Sequence, residues 1–290
     1  VTRIGILLIV FALAGGLVGC DGNGSDPYAD YTKIYDWTDL DNIRNNLAAK
    51  YVVMNDLDSS SVGYDELAGP SANGGKGWQP IGSQSDAFGG TLDGQGYELR
   101  DLFISRPDEN YYMGVIGALA GVIDNIGLVN ATVTGNVGVG GLVGVNFGTV
   151  SDSYSTGSVS GYDAVGGLVG LSIGNTGYCY SNASVIGTGT ATEVSGVGGL
   201  VGLNYADVSH CYSTGSVTGV SPVGGLVGFD YFGSVSDSYA TGSVSGQTGA
   251  GGLVGGHALG TVSNSYATGS VTGDDFVGGL LGDTMRIMAL

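Results

Sequence analysis

From residue 114 to residue 282, apolar and polar positions return in one rhythm. A Gly-Gly-Leu run followed by Val-Gly or Leu-Gly places its leucine at Leu142, Leu168, Leu200, Leu226, Leu253 and Leu280. The gaps are 26, 32, 26, 27 and 27 residues, and a degenerate copy sets Val115 27 residues before Leu142. A second marker lies between the leucines, at Tyr154, Tyr180, Tyr212, Tyr239 and Tyr266. Val159, Val185, Val217, Val244 and Val271 each follow their tyrosine by five residues. The extra residues of the 32-residue gap all fall between Gly187 and Leu200, so the unit is constant and one turn is enlarged.

A unit of this size is too small to bury its own apolar face, and stacking is what buries it. Three strands of about 5 residues with three turns consume that length. The expected fold is all-β: a right-handed parallel β-helix, or solenoid, of about 27-residue coils spaced about 4.8 Å apart. A β-propeller is the rival, but its blades need about 40 residues. In-register stacking turns equal positions into ladders of Leu, Val and Tyr. The alternation Ser153, Tyr154, Ser155 puts small residues on one face and tyrosine on the other. We favour tyrosine outward.

Before the repeats the pattern changes. Leu40, Ile43 and Leu47 fall at helical spacing after Thr38, a candidate N-cap with Asp41 three residues on. A short capping helix over the open end of the stack is expected. A strand from Tyr51 and a segment with turns at Asp93-Gly94 and Gln95-Gly96 read as first coils, Asp93 being a turn aspartate. The first twenty residues carry one cation, Arg3, then an apolar run ending at Leu17-Val18-Gly19-Cys20. That run is short for a membrane span and suits an export signal. The Cys20 context resembles a bacterial lipobox, which implies cleavage before Cys20 and a lipid on its thiol. The expected organisation is a lipoprotein signal peptide over 1–19, lipidated Cys20 with a flexible tether over 20–36, a cap with first coils over 37–110, and the repeat solenoid over 111–290.

Composition sharpens the picture. Glycine supplies 58 of 290 residues without a Gly-X-Y period, which fits tight turns and excludes collagen. The net charge is −18, and from Asp108 to Asp283 there is no Lys or Arg. Nucleic acid is excluded as a partner, because phosphates need cations. The membrane is expected as a partner through the N-terminal lipid alone.

The repeated GGLVG together with SYSTGSVSG resembles the GLUG motif family of bacterial surface and secreted proteins. The stretch GWQPIGSQSDAFGGTLDGQGYELRDL resembles the segment that precedes such repeats, so the resemblance spans about 37–282. It implies adhesin-like proteins or accessory parts of peptidases, and says little about activity.

Candidate chemistry is sparse. Cys179 and Cys211 hold the same slot in consecutive units, which puts them in disulfide range. The slot is serine elsewhere, so two free buried thiols fit as well and are preferred. His210 stands in a turn slot used by Asp152, Asp237 and Asn264, and His257 looks isolated. No metal or cofactor motif is present. A uronate lyase needs cations that the repeats lack. A hydrolase needs two carboxylates about 5–9.5 Å apart; Asp274 and Asp275 are adjacent, but in a turn. The tyrosine ladder, flanked by Thr156, Thr214, Thr241 and Thr268, offers a surface for sugars or a surface protein. The enlarged turn, 188–196, is a contact loop or a tolerated insertion. Met285, Ile287, Met288 and Leu290 suit an apolar plug over the last coil, or the reading frame stops early and leaves an open end. The expectation is an exported, envelope-anchored adhesion or binding module without catalysis. A polysaccharide hydrolase, or a spacer of a secreted peptidase system, is the alternative.

Overall fold

Every ladder between strands is parallel, and the ladders join equal positions of successive repeats. The computed structural model describes residues 26–110, 112–189, 195–220 and 222–284. Tyr31 onward forms one compact unit. Among the described residues no helix is long and apolar enough to cross a membrane.

One coil shows the plan. Thr149–Ser151 belongs to sheet A, of nine strands, and Tyr154–Gly161 to sheet B, of eleven. Asp163–Gly166 belongs to sheet C, of six, and Val169–Ser172 to sheet D, of seven. The protein is thus an all-β parallel solenoid whose coil has four strands, where three were expected. The difference lies at the Gly-Gly-Leu run. The stretch from Val165 to Ser172 breaks at Gly167, and the chain turns from sheet C into sheet D. Gly166 marks how close the two come: a Cβ there would overlap the Val169 carbonyl and meet Gly202 N at 2.7 Å. Only glycine allows that approach.

The marker leucines stack at this corner. Leu142 N donates to Leu168 O at 3.0 Å, Leu168 N to Leu200 O at 3.0 Å and Leu200 N to Leu226 O at 2.9 Å. Val150, Val159, Val165, Leu168 and Val169 reach one buried cluster from all four sheets. The inward slot beside the first four tyrosines is Ser155, Ser181, Ser213 or Ala240, fully buried, and beside Tyr266 it is Ala267, partly buried. It must be small because the facing Gly167 or Gly199 leaves no room.

The N-terminal region closes the lower end. Helix α1, Trp37–Asp41, continues into a 3-10 turn over Asn42–Asn45. Its N-cap is Asp36, whose carboxylate accepts from Asp39 N at 2.9 Å, so the expected cap at Thr38 lies two residues too late. Asp36 wins because its carboxylate can also face the positive end of the first turn. Leu40 and Ile43 are buried as expected, and Leu47 packs on the same cluster. Trp37 and Trp78 meet at 5.9 Å between centroids, and each indole N–H is satisfied: Trp37 by Asp58 O, Trp78 by Val115 O. Asp93 caps its own turn, accepting from Gln95 N at 2.8 Å.

Candidate functional site

The tyrosine column sits on sheet B in strict register, Tyr154 with Tyr180, Tyr212, Tyr239 and Tyr266. The neighbouring serines take the interior, so the phenols face outward, half-buried along most of the column. Successive rings lie 4.7, 4.8, 4.9 and 5.2 Å apart and within 5° of parallel. Each ring therefore covers its neighbour's face. The ladder presents edges and hydroxyls, repeated once per coil. Its lower end is anchored: the Tyr154 hydroxyl donates to Glu98, which also pairs with Arg100. Burial and that carboxylate push the Tyr154 phenol well above its ordinary value. Burial raises Tyr180 and Tyr212 as well. Thr214 and Thr241 stand exposed beside it.

Cys179 and Cys211 are free thiols in the core, in adjacent coils. Cys211 Sγ lies 3.4 Å from Cys179 N, and each thiol reaches the carbonyl two residues earlier, at Gly177 and Ser209. Burial, reinforced by the neighbouring thiol, pushes Cys179 well above its usual range. It is protonated and inert as a nucleophile.

The turn slot before each tyrosine is left-handed: φ is 49° at Asp152, 56° at Tyr178, 55° at His210, 50° at Asp237 and 49° at Asn264. The Tyr178 and His210 rings stack there at 4.6 Å. Asp274 and Asp275 are exposed, and both amides donate to Gln247 O, as a turn requires. Cys20 and the C-terminal Met285, Ile287, Met288 and Leu290 lie outside the described residues, as does most of the enlarged turn.

His257 is not isolated, which corrects the sequence reading. Its Nδ1 lies 3.1 Å from Asp230 Oδ2, and Asp230 Oδ1 accepts from Asn204 Nδ2 at 2.8 Å. These residues stack in one column at the end of sheet D, below Thr284 and above Ser172 and Asn146. Asp230 is fully buried, and burial raises its carboxyl above the ordinary value against the opposing pull of Asn204 and His257. The spacing of 26 and 27 residues was a usable signal. The column also fixes the turn, since Asn146 Oδ1 accepts from Gly148 N at 2.9 Å. Just past it four coils carry an exposed apolar side chain: Phe147 (41%) and Ile173 (46%) one residue on, Phe232 (55%) and Leu259 (58%) two residues on. No cluster of three or more metal-ligating side chains occurs among the described residues.

A hollow beside the cap also escaped the sequence reading. It has a volume of about 880 Å³ and lies between Gln79, Gly82 and Ser85 on one side and Arg106, Glu109, Tyr112 and Val137 on the other. It opens because sheet C starts late. The first strand of that sheet is Val137–Gly140, and below it stands only an isolated bridge from Met113 to Val139. One wall is held by Arg106, 8% exposed, which donates to Trp78 O and pairs with Glu109 at 3.1 Å. Lys76 also pairs with Glu109, at 2.7 Å. These cations hold the Glu109 carboxyl below its ordinary range, Lys76 contributing most.

Comparison with known proteins fits this geometry. Four segments match the GLUG motif, at 135–160, 194–218, 221–245 and 246–272. Halomucin of Haloquadratum walsbyi is 37% identical over 146 residues, 48% of this chain and 2% of that protein. A Gly-rich membrane protein of Evansella cellulosilytica is 34% identical over 139 residues, 46% of this chain and 15% of that protein. The chain thus spans under a sixth of either relative. A Bacteroides ovatus protein assigned in name as an immunoglobulin A1 protease superposes with a TM-score of 0.69 at 23% identity, over 84% of this chain and 77% of that one. An IgA1 protease superposes at 0.54 and 16% identity, over 90% of this chain and 20% of the other. Both likenesses are of fold alone.

Proposed function

We propose that this GLUG-repeat solenoid is a non-catalytic surface module, exported and held at the cell envelope by lipid on Cys20, that binds a repetitive partner. The partner class is a polymeric glycan or a surface protein. The observation that carries the reading is the periodic exterior. Five tyrosines repeat once per coil on sheet B, and an exposed apolar side chain follows sheet D in four of the coils. A partner with its own repeat meets many weak contacts at once, and linked contacts multiply affinity without any single strong site. The absence of cations from Asp108 to Asp283 favours uncharged or cationic surfaces over polyanions. The names of the two relatives, a mucin and a membrane protein, are compatible with an envelope location.

The test is retention of intact polymer. The full chain in detergent is mixed with a panel of neutral polysaccharides and mucin, and bound and free polymer are sized by mass spectrometry. Retention of uncut polymer, weakened by Tyr180→Ala with Tyr212→Ala, is the expected result. Shortened products, or retention indifferent to both the tyrosine pair and Phe232→Ser, would overturn it. Radiolabelled lipid incorporation lost in Cys20→Ala tests the anchor.

A further inference from the structure

The hollow beside the cap differs from the periodic faces in every respect that matters for binding. It is concave, unique in the chain's repeat pattern, and its volume of about 880 Å³ lies within the range of about 300–1,000 Å³ common to small-molecule sites. Its lining combines two chemistries. Gln79, Gln84, Asn110, Ser83 and Ser85 supply amides and hydroxyls that both donate and accept. Pro80, Tyr112, Met113 and Val137 supply an apolar side. Tyr112 is held in place against Gly138, and Asn110 Oδ1 accepts from Asn136 Nδ2 at 2.6 Å, so part of the wall is fixed without a ligand.

Charge narrows the ligand. The ionic side chains at the hollow and behind it, Arg106, Glu109 and Lys76, already pair with one another. Arg106 Nε and Nη2 are further committed to the carbonyls of Trp78 and Gly77. A charged ligand would have to compete with these pairs. A neutral polyol does not: its hydroxyls bond to the amides and to the Glu109 carboxylate, and its C–H faces lie on Tyr112, Pro80 and Val137. We infer that this hollow is a binding site for an uncharged carbohydrate, a short oligosaccharide or the end of a glycan chain. The inference is independent of the periodic faces and goes beyond the proposed surface role.

Gly82 and the Ser83–Asp86 turn set the floor. Gly82 has φ of +76°, and a Cβ there would meet Ala118 O at 2.8 Å and Phe88 N at 3.0 Å. Ser83 N and Asp86 N each bond to the other residue's carbonyl, which closes the loop.

The experiment is titration of the full chain in detergent with maltotriose, N,N′-diacetylchitobiose and digalacturonate, followed by saturation-transfer NMR and calorimetry. Binding of at least one neutral sugar, and no binding of digalacturonate, is expected. Gln84→Ala with Asn110→Ala, both exposed positions, should weaken it at least tenfold at an unchanged Tm. Tyr180→Ala with Tyr212→Ala should leave it intact, which separates this site from the ladder. No neutral sugar bound, binding insensitive to the Gln84/Asn110 pair, or preference for digalacturonate would each overturn the assignment.

Discussion

In the coils, Val159, Val185, Val217 and Val244 fill one column of the core with a single residue type. In the region 31–113, Trp37, Trp78 and Phe88 are equally buried, but no like residue repeats them from coil to coil. The two regions meet the same demand, a dry interior, by opposite means. The coils repeat one solution, so equal positions on an outer face form rows, as the tyrosines do. The cap ends the stack with side chains of unequal size and loops of unequal course. All six basic residues from Lys33 to Arg106 lie in it, and so does most of the lining of the hollow. Periodicity favours extended contact; its interruption creates a discrete site.

The sharpest way to break this comparison is to remove the cap's largest wedge. Trp78→Ala should cost about 3–5 kcal/mol. Because the cap shields the lower edges of the sheets, the variant should also self-associate, as exposed edges do. Urea unfolding with light scattering checks both.

Glycine at the corner tests the repeat side. In Gly224→Ala the new methyl overlaps the Val227 carbonyl and lies 2.6 Å from Gly255 N. Both are backbone, so the loss should be about 1–3 kcal/mol. Gly279→Ala, with nothing within 4 Å, is the control and should leave the urea midpoint unchanged.

Tyr212→Ala removes two ring stacks at once, at 4.8 and 4.9 Å. At about 0.5–1.5 kcal/mol per aromatic pair, the expected loss is about 1–3 kcal/mol. Tyr212→Phe keeps the stacks and should hold the urea midpoint while altering only binding.

Asp230 gives the pH test. Burial raises its carboxyl, so the folded chain keeps the proton to higher pH than the unfolded chain, whose value is about 3.9. Its contribution to stability is therefore full below that value and is lost as pH rises toward the folded value. Asp230→Asn, the residue type used at Asn204, should remove this slope. Urea midpoints of wild type relative to the variant should fall between pH 4 and pH 7.

The smallest expected change is at the thiols. Cys179→Ser copies Ser153 and Ser238 of the same column and should shift stability by under about 1 kcal/mol. Thiol labelling of Cys179 and Cys211 should be silent in the folded chain and rapid in urea.

Much of this was legible in the letters. Leucine and tyrosine spacing determined a parallel stack of near-27-residue coils and its register, because in-register stacking forces equal positions into contact. Alternation at Ser153-Tyr154-Ser155 determined which side chains share a face, since successive residues of a strand point opposite ways. Tertiary structure alone decided three things. The Gly-Gly corner split one expected strand into two, because backbone meets backbone there. Asp230 and His257 share a column that their 27-residue spacing allows, but their contact was decided by the fold, and a hollow opened where sheet C starts late, because side-chain direction and the place where a sheet begins are set in space.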